Sequence, residues 1–113
     1  MVEDLEKYKI RSVRIKTLKQ ERNVFSYDKE RVRKINKEIN ELNYYQQKVK
    51  NGLLILKENE REIIHKRYMD LDYQFKSSYR LAQDLYTSYS LLRAQYNSAI
   101  KKLEDLDTGR GLH

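Results

Sequence analysis

The side chains of this chain that could do chemistry are cationic, hydroxylic and aromatic, and they point to binding rather than catalysis. Cysteine is absent and the two histidines are His65 and His113, so neither a thiolate nucleophile nor a thiolate zinc site can form. His65 has Arg61 one turn before it and Met69 one turn after it, which leaves Glu62 as the nearby carboxylate. With no His-Glu-x-x-His run and no clustered ligands, no metal is expected. Glu58, Glu60 and Glu62 crowd the start of a helix, where carboxylates interact favourably with the helix dipole, and that explains them better than a catalytic pair. There is no glycine-rich phosphate loop. Of the ten tyrosines, Tyr8, Tyr68 and Tyr96 fall at helical core spacing, which makes them amphipathic residues at the edge of a core rather than a stacking platform for nucleic acid. Neither an enzyme nor a cofactor is expected.

The cations are unevenly spread. The formal net charge is +7. Residues 1–52 hold 14 Lys/Arg against 8 Asp/Glu, a net +6, whereas residues 53–113 hold 10 against 9, a net +1. The excess is densest at Lys7, Lys9, Arg11, Arg14, Lys16, Lys19 and Arg22. Such a cluster suits nucleic-acid phosphates, an acidic protein surface, or simply a solvated helix face.

The elements that must position these groups are helical. Proline is absent and there are three glycines, two of them in Gly109-Arg110-Gly111, so little interrupts helices before the C-terminus and the chain is expected to be all-α. A length of 113 residues supports one small core with or without an appended helical element. No apolar run approaches the roughly 20 residues of a membrane span, and the charged N-terminus lacks the apolar stretch of a signal peptide, so a cytoplasmic protein is expected.

In the first segment, Val2 to about Asn23, Leu5, Tyr8, Ile15 and Leu18 follow helical spacing toward Phe25. Ile10 and Val13 lie off that line, which predicts a broad apolar face packed on more than one neighbour. Asn23 to Tyr27 is the expected break, with Asp28 as N-cap of the next helix. Val32, Ile35, Ile39, Leu42, Gln46, Val49, Leu53 and Leu56 then alternate in steps of three and four, an a/d stripe with one polar member. The first two helices should pair as an antiparallel hairpin, and the stripe suits either that pairing or a homodimer interface. Asn51-Gly52 is read as a helix end capped by a left-handed glycine or, since the stripe continues, as a kink. A helix over Glu58–Tyr68 follows, then a loop over Met69–Ser78 with Ser77 or Ser78 capping a helix that starts near Tyr79.

The next residues have the spacing of a helix-turn-helix. Leu81, Ala82, Leu85 and Leu92 fill its four core places, with a small residue where two steeply crossing helices approach and apolar ones around it. Tyr86 stands at the turn position that usually carries glycine, and Gln95 at a later core position. Ser88 is the expected cap of the second helix, which carries Leu92, Tyr96, Ala99, Ile100 and Leu103 inward and runs to about Leu106. Thr108–His113 reads as a frayed tail.

Two runs carry a family resemblance. Leu56-Lys57-Glu58-Asn59-Glu60-Arg61-Glu62-Ile63-Ile64-His65-Lys66-Arg67-Tyr68 resembles the opening of the fourth conserved region of bacterial primary sigma factors. Leu81-Ala82-Gln83-Asp84-Leu85 and Ala99-Ile100-Lys101-Lys102-Leu103 resemble that region's helix-turn-helix and its ending. With a charged helical hairpin in front, the chain is similar to the phage late-operon transcription activators of the RinA/ArpU/LtrC type. The connecting loop is longer than the sigma pattern, and Tyr86 and Gln95 depart from it.

The resemblance implies double-stranded DNA as partner in a bacterial host. It places Ser88, Tyr89, Ser90, Arg93, Ala94 and Asn97 on the groove-facing side of the second helix. Arg93 would read guanine and Asn97 adenine, each for roughly 1 to 3 kcal/mol of discrimination. Ser88, Tyr89 and Ser90 would hold phosphates at the helix start, with Arg80, Lys101 and Lys102 adding backbone contacts. For Arg93 and Asn97 the alternative is an ordinary solvated face. The expected organisation is therefore a hairpin over 1–52, a helix-turn-helix domain over 53–106 and a flexible tail over 107–113, in a sequence-specific transcriptional regulator. The rival reading is a helical interaction module that binds RNA polymerase, a sigma factor or another phage or host protein.

Overall fold

With no proline and a single glycine before residue 109, the backbone is free to stay helical, and capping side chains mark where three of the helices start. The computed structural model describes residues 1–109 and is all-α, with no strand among the described residues. The helices are α1 (Val2–Glu6), α2 (Tyr8–Val24), α3 (Lys29–Gly52), α4 (Glu58–Ile64), α5 (Ser78–Asp84) and α6 (Tyr89–Thr108). A 3₁₀ turn (Leu53–Ile55) follows α3 and a π turn (His65–Met69) extends α4. Asp28, Ser77 and Ser88 cap α3, α5 and α6, their side chains accepting from the amides of Arg31, Arg80 and Leu91 at 3.1 Å each. A cap of this kind stabilises a helix by about 1 kcal/mol.

The first segment is divided at Lys7, whose backbone stays right-handed at φ −90° and ψ −5°. α1 packs on α3, α6 and the π turn, so the segment does meet several neighbours. Its apolar face is nonetheless narrower than the composition suggested, because Ile10 and Val13 are 72% and 54% exposed. α2 and α3 run antiparallel. Arg14 binds Glu38 at 3.0 Å, and Gln46 Nε2, further along α3, donates to the Tyr8 carbonyl at 3.0 Å and to Ser12 Oγ at 2.9 Å near the start of α2. Leu18, Ile35 and Ile39 form the apolar centre of the pair, flanked by Ile15 and Leu42. The stripe on α3 is thus covered within the chain, and its polar member bonds across the pair.

A second cluster lies where the end of α3 meets α1, α4 and α6: Leu5, Tyr8, Val49, Leu56, Ile64, Met69, Ala99 and Leu103. It draws on residues from both sides of position 52. Gly52 is buried there with right-handed φ −59° and ψ −34°, so it is a close-packing position and not a left-handed cap. A Cβ on Gly52 would stand 3.1 Å from Met1 Cε and 3.2 Å from Leu103 Cδ2. The chain then bends through the 3₁₀ turn into extended backbone at Leu56, which is the kink alternative. The third cluster, Ile63, Leu81, Ala82 and Leu92, joins α4, α5 and α6.

Two boundaries differ from the sequence reading, and the connecting loop is more fixed than its composition suggests. The helix from Glu58 is α-helical only to Ile64 before it widens into the π turn. The loop after Met69 is pinned: Lys9 Nζ donates to the Tyr73 carbonyl at 2.9 Å, the Tyr73 hydroxyl donates to Asp84 at 2.7 Å, and the Arg67 guanidinium lies 4.6 Å from the Phe75 ring centre. α6 continues past Leu106 to Thr108, because Asp107 is held by Lys48 at 3.1 Å and the α-amino group of Met1 at 2.9 Å. Gly109, at φ +76°, ends it. The expected tail is therefore helical at 107 and 108, and its residues 110–113 lie outside the described residues.

Candidate nucleic-acid interface

α5 and α6 pack on each other at a short corner. Leu81, Ala82 and Leu92 are buried against one another with Leu85 packed at their edge, and only residues 85–88 separate the helices. Tyr86 occupies the glycine position of the turn and adopts the conformation glycine would, at φ +56°. Its amide donates to the Gln83 carbonyl at 3.2 Å, and the Thr87 amide reaches back to the Ala82 carbonyl at 3.0 Å. These two bonds are the Schellman pair that closes a helix C-terminus. α5 therefore ends in the left-handed turn that glycine usually makes, and a side chain there costs about 1 kcal/mol in backbone strain. The ring recovers nothing by packing, since Tyr86 is 97% exposed.

α6 divides cleanly into two faces. Leu92, Ala99 and Leu103 are buried, with Tyr96 and Ile100 packed beside them. Ser90, Arg93, Ala94, Asn97 and Lys101 are exposed on the other side. Gln95 is half-buried at the edge facing α4, where it lines a small cleft with Lys57, Asn59, Glu60, Ala94 and Ser98. A polar residue is tolerated there because the position borders the polar start of α4.

The candidate contact residues meet different fates. Arg93 and Asn97 are free on the outer face, with the Arg93 guanidinium 5.7 Å from the Tyr89 ring centre. Tyr89 is partly covered by Tyr79, ring centres 6.0 Å apart. The Ser88 oxygen is engaged in capping, and its hydroxyl proton remains available to an acceptor. Arg80 is exposed but paired with Asp84 at 3.2 Å one turn on, a surface pair worth little and readily exchanged for a phosphate.

Lys102 departs from its expected role. Its ammonium lies 2.8 Å from Glu60 Oε1, and Glu60 is buried at 2% exposure while also accepting from the Lys57 amide at 2.8 Å. Burial raises the Glu60 pKa, but Lys102, the Lys57 amide and the Ser98 hydroxyl outweigh it and hold the carboxyl below its ordinary 4.5. Lys102 is thus a tie between α6 and α4, not a free cation for DNA. Lys101, its neighbour, is exposed.

The basic cluster on the first segment is partly engaged inside the fold. Lys7 pairs with Glu3 at 2.7 Å, Arg11 with Asp4 at 2.9 Å and Arg14 with Glu38 at 3.0 Å. Arg22 donates to Asn36 at 2.9 Å. Lys16 and Lys19 stay exposed. The sequence showed a cluster of cations and could not show their partners, because only the Lys7–Glu3 pair is local on one helix turn. Tyr79 and Tyr86, exposed at the corner, were not among the expected contact residues; their proximity to Tyr89 and to the turn was the available signal. His65 is exposed, and no group of three His, Asp or Glu that could hold a metal occurs among the described residues.

Comparison with protein-family models, with curated proteins and with solved structures finds no match to this chain. No helix of the described residues is long and apolar enough to cross a membrane.

Proposed function

We propose that this chain is a sequence-specific DNA-binding transcriptional regulator that lays the outer face of α6 in the major groove. The observation that carries the reading is the α5–α6 corner: a buried Leu81, Ala82 and Leu92, a four-residue turn, and an adjoining helix face presenting Ser90, Arg93, Asn97 and Lys101 to solvent. A helix held in this way fits the groove, and Arg and Asn are the side chains that bond guanine and adenine bidentately. Phosphates bordering the groove would be met by Lys101, by Arg80 once it releases Asp84, and by the hydroxyls at the start of α6. The likeness of Leu56–Tyr68 and Leu81–Leu85 to the sigma region supports a role in transcription of the phage-activator kind. Selection of bound fragments from a pool of random duplexes tests it: enrichment of one motif is the expected result, and retention without enrichment contradicts sequence reading.

A second reading draws on α2. Ile10, Val13 and Val24 are 72%, 54% and 67% exposed there, a face that suits a protein partner such as RNA polymerase or a sigma factor. It is compatible with DNA binding at the other end of the chain and replaces it if no duplex is retained.

A further inference from the structure

We infer that Tyr86 is a DNA-contact residue, its ring and hydroxyl resting on the sugar–phosphate backbone at the rim of the groove that α6 enters; the inference rests on the DNA-binding reading above. Tyr86 is the one non-glycine residue with positive φ among the described residues, at +56°. The turn hydrogen bonds around it come from the main chain, so glycine would serve the turn equally well and without strain. A side chain 97% exposed adds no packing that would offset that strain. A residue held in a disfavoured conformation, with its side chain projected into solvent beside a recognition surface, has its use outside the isolated chain.

Position decides what it would touch. Tyr86 precedes the α6 N-cap Ser88 by two residues and so lies outside the helix. When the second helix of such a unit docks, its N-terminal part enters the groove, and a turn just before that helix then lies toward the groove's phosphate rim, beside the hydroxyls of Ser88 and Ser90. Tyrosine is among the side chains that bond phosphate oxygens, and backbone contacts fix orientation without reading sequence. Tyr79 and Tyr89 stand at the same corner, 62% and 40% exposed, and extend the aromatic rim.

The test compares wild type, Tyr86→Gly, Tyr86→Asn and Tyr86→Phe for melting temperature and for binding to the selected duplex and to an unrelated one. Glycine and asparagine both accept the left-handed turn. Tyr86→Gly is expected to melt higher, by about 3 to 5 °C, yet to bind both duplexes about tenfold more weakly. Tyr86→Asn should lose the same affinity, and Tyr86→Phe, which keeps the ring, about half as much on a logarithmic scale. Opposite signs for stability and affinity exclude a structural role. A more stable Tyr86→Gly protein that binds both duplexes like wild type overturns the inference and leaves DNA binding intact. Loss confined to the selected duplex also overturns it, by making Tyr86 a base reader. A wild-type protein that retains no duplex overturns the DNA reading itself.

Discussion

Lys101 and Lys102 are neighbours on α6 with different surroundings: one is exposed, and the other is fixed 2.8 Å from a buried Glu60. The Lys102–Glu60 pair is therefore the tie whose loss tests how α6 is held. Lys102→Met leaves a buried carboxylate short of one charged partner and should destabilise the fold by about 1 to 3 kcal/mol, read by denaturant titration. The same pair sets a pH dependence. A carboxyl whose folded pKa lies below its ordinary 4.5 binds protons more readily when unfolded. Its contribution is complete above that value and is lost as pH falls through the lower, folded one. Melting temperature should consequently fall with acidification below about pH 4.5, and less steeply in Glu60→Gln; identical slopes would remove Glu60 from the account. None of this was legible in the sequence, where Glu60 and Lys102 stand 42 positions apart and Glu60 reads as one member of an acidic helix start. The caps were legible, since Asp28 and Ser88 are small acceptors placed just before helical patterns. The conformation of Tyr86 was half legible: the motif gives the position, and only the backbone shows that tyrosine accepts the turn that glycine usually makes.

At the level of elements, α2 and α3 show what periodicity can and cannot decide. The regular stripe on α3 identified its buried face, but pairing within the chain and pairing between chains have the same pattern. The contacts place Ile39, at 4% exposure, in the cluster with Leu18 and Ile35. Ile39→Asp should thus unfold the hairpin, at a cost of about 3 kcal/mol or more, with loss of circular dichroism at 222 nm and no change of mass in sedimentation beforehand. A dimer that separates while helicity persists would instead make the stripe a subunit interface. The basic residues of the first segment yield a second test. Replacing Lys7, Arg11 and Arg14 together by Gln breaks ion pairs with Glu3, Asp4 and Glu38. Only Arg11–Asp4 is well shielded, at 14% and 13% side-chain exposure, so a modest loss of stability, about 1 to 2 kcal/mol, is expected. The slope of log affinity against log salt should stay unchanged; a flatter slope would show these cations on DNA. Charge clusters are visible in a sequence, whereas their neutralisation by residues such as Glu38, 24 positions away, is not.

For the whole molecule, the net charge of +7 already counts the acidic partners of its ion pairs, so what it offers a polyanion depends on where the exposed cations stand, Lys16 and Lys19 among them. On the proposed DNA-binding reading, recognition falls to one helix face, and that helix is held by two clusters: Leu81, Ala82 and Leu92 at its start, and Ala99 and Leu103 toward its end. The outer residues of α6 are correspondingly the ones whose loss should alter binding without altering the fold. Arg93 is the decisive case, being exposed and one turn from Asn97. The most direct measurement is fluorescence anisotropy of wild type and Arg93→Ala against the selected duplex and an unrelated one at a single salt concentration. The account predicts a loss of about 1 to 3 kcal/mol on the selected duplex with nearly unchanged binding to the other, so that the preference between them collapses. An unaltered preference, or an equal loss on both duplexes, would contradict base reading by α6.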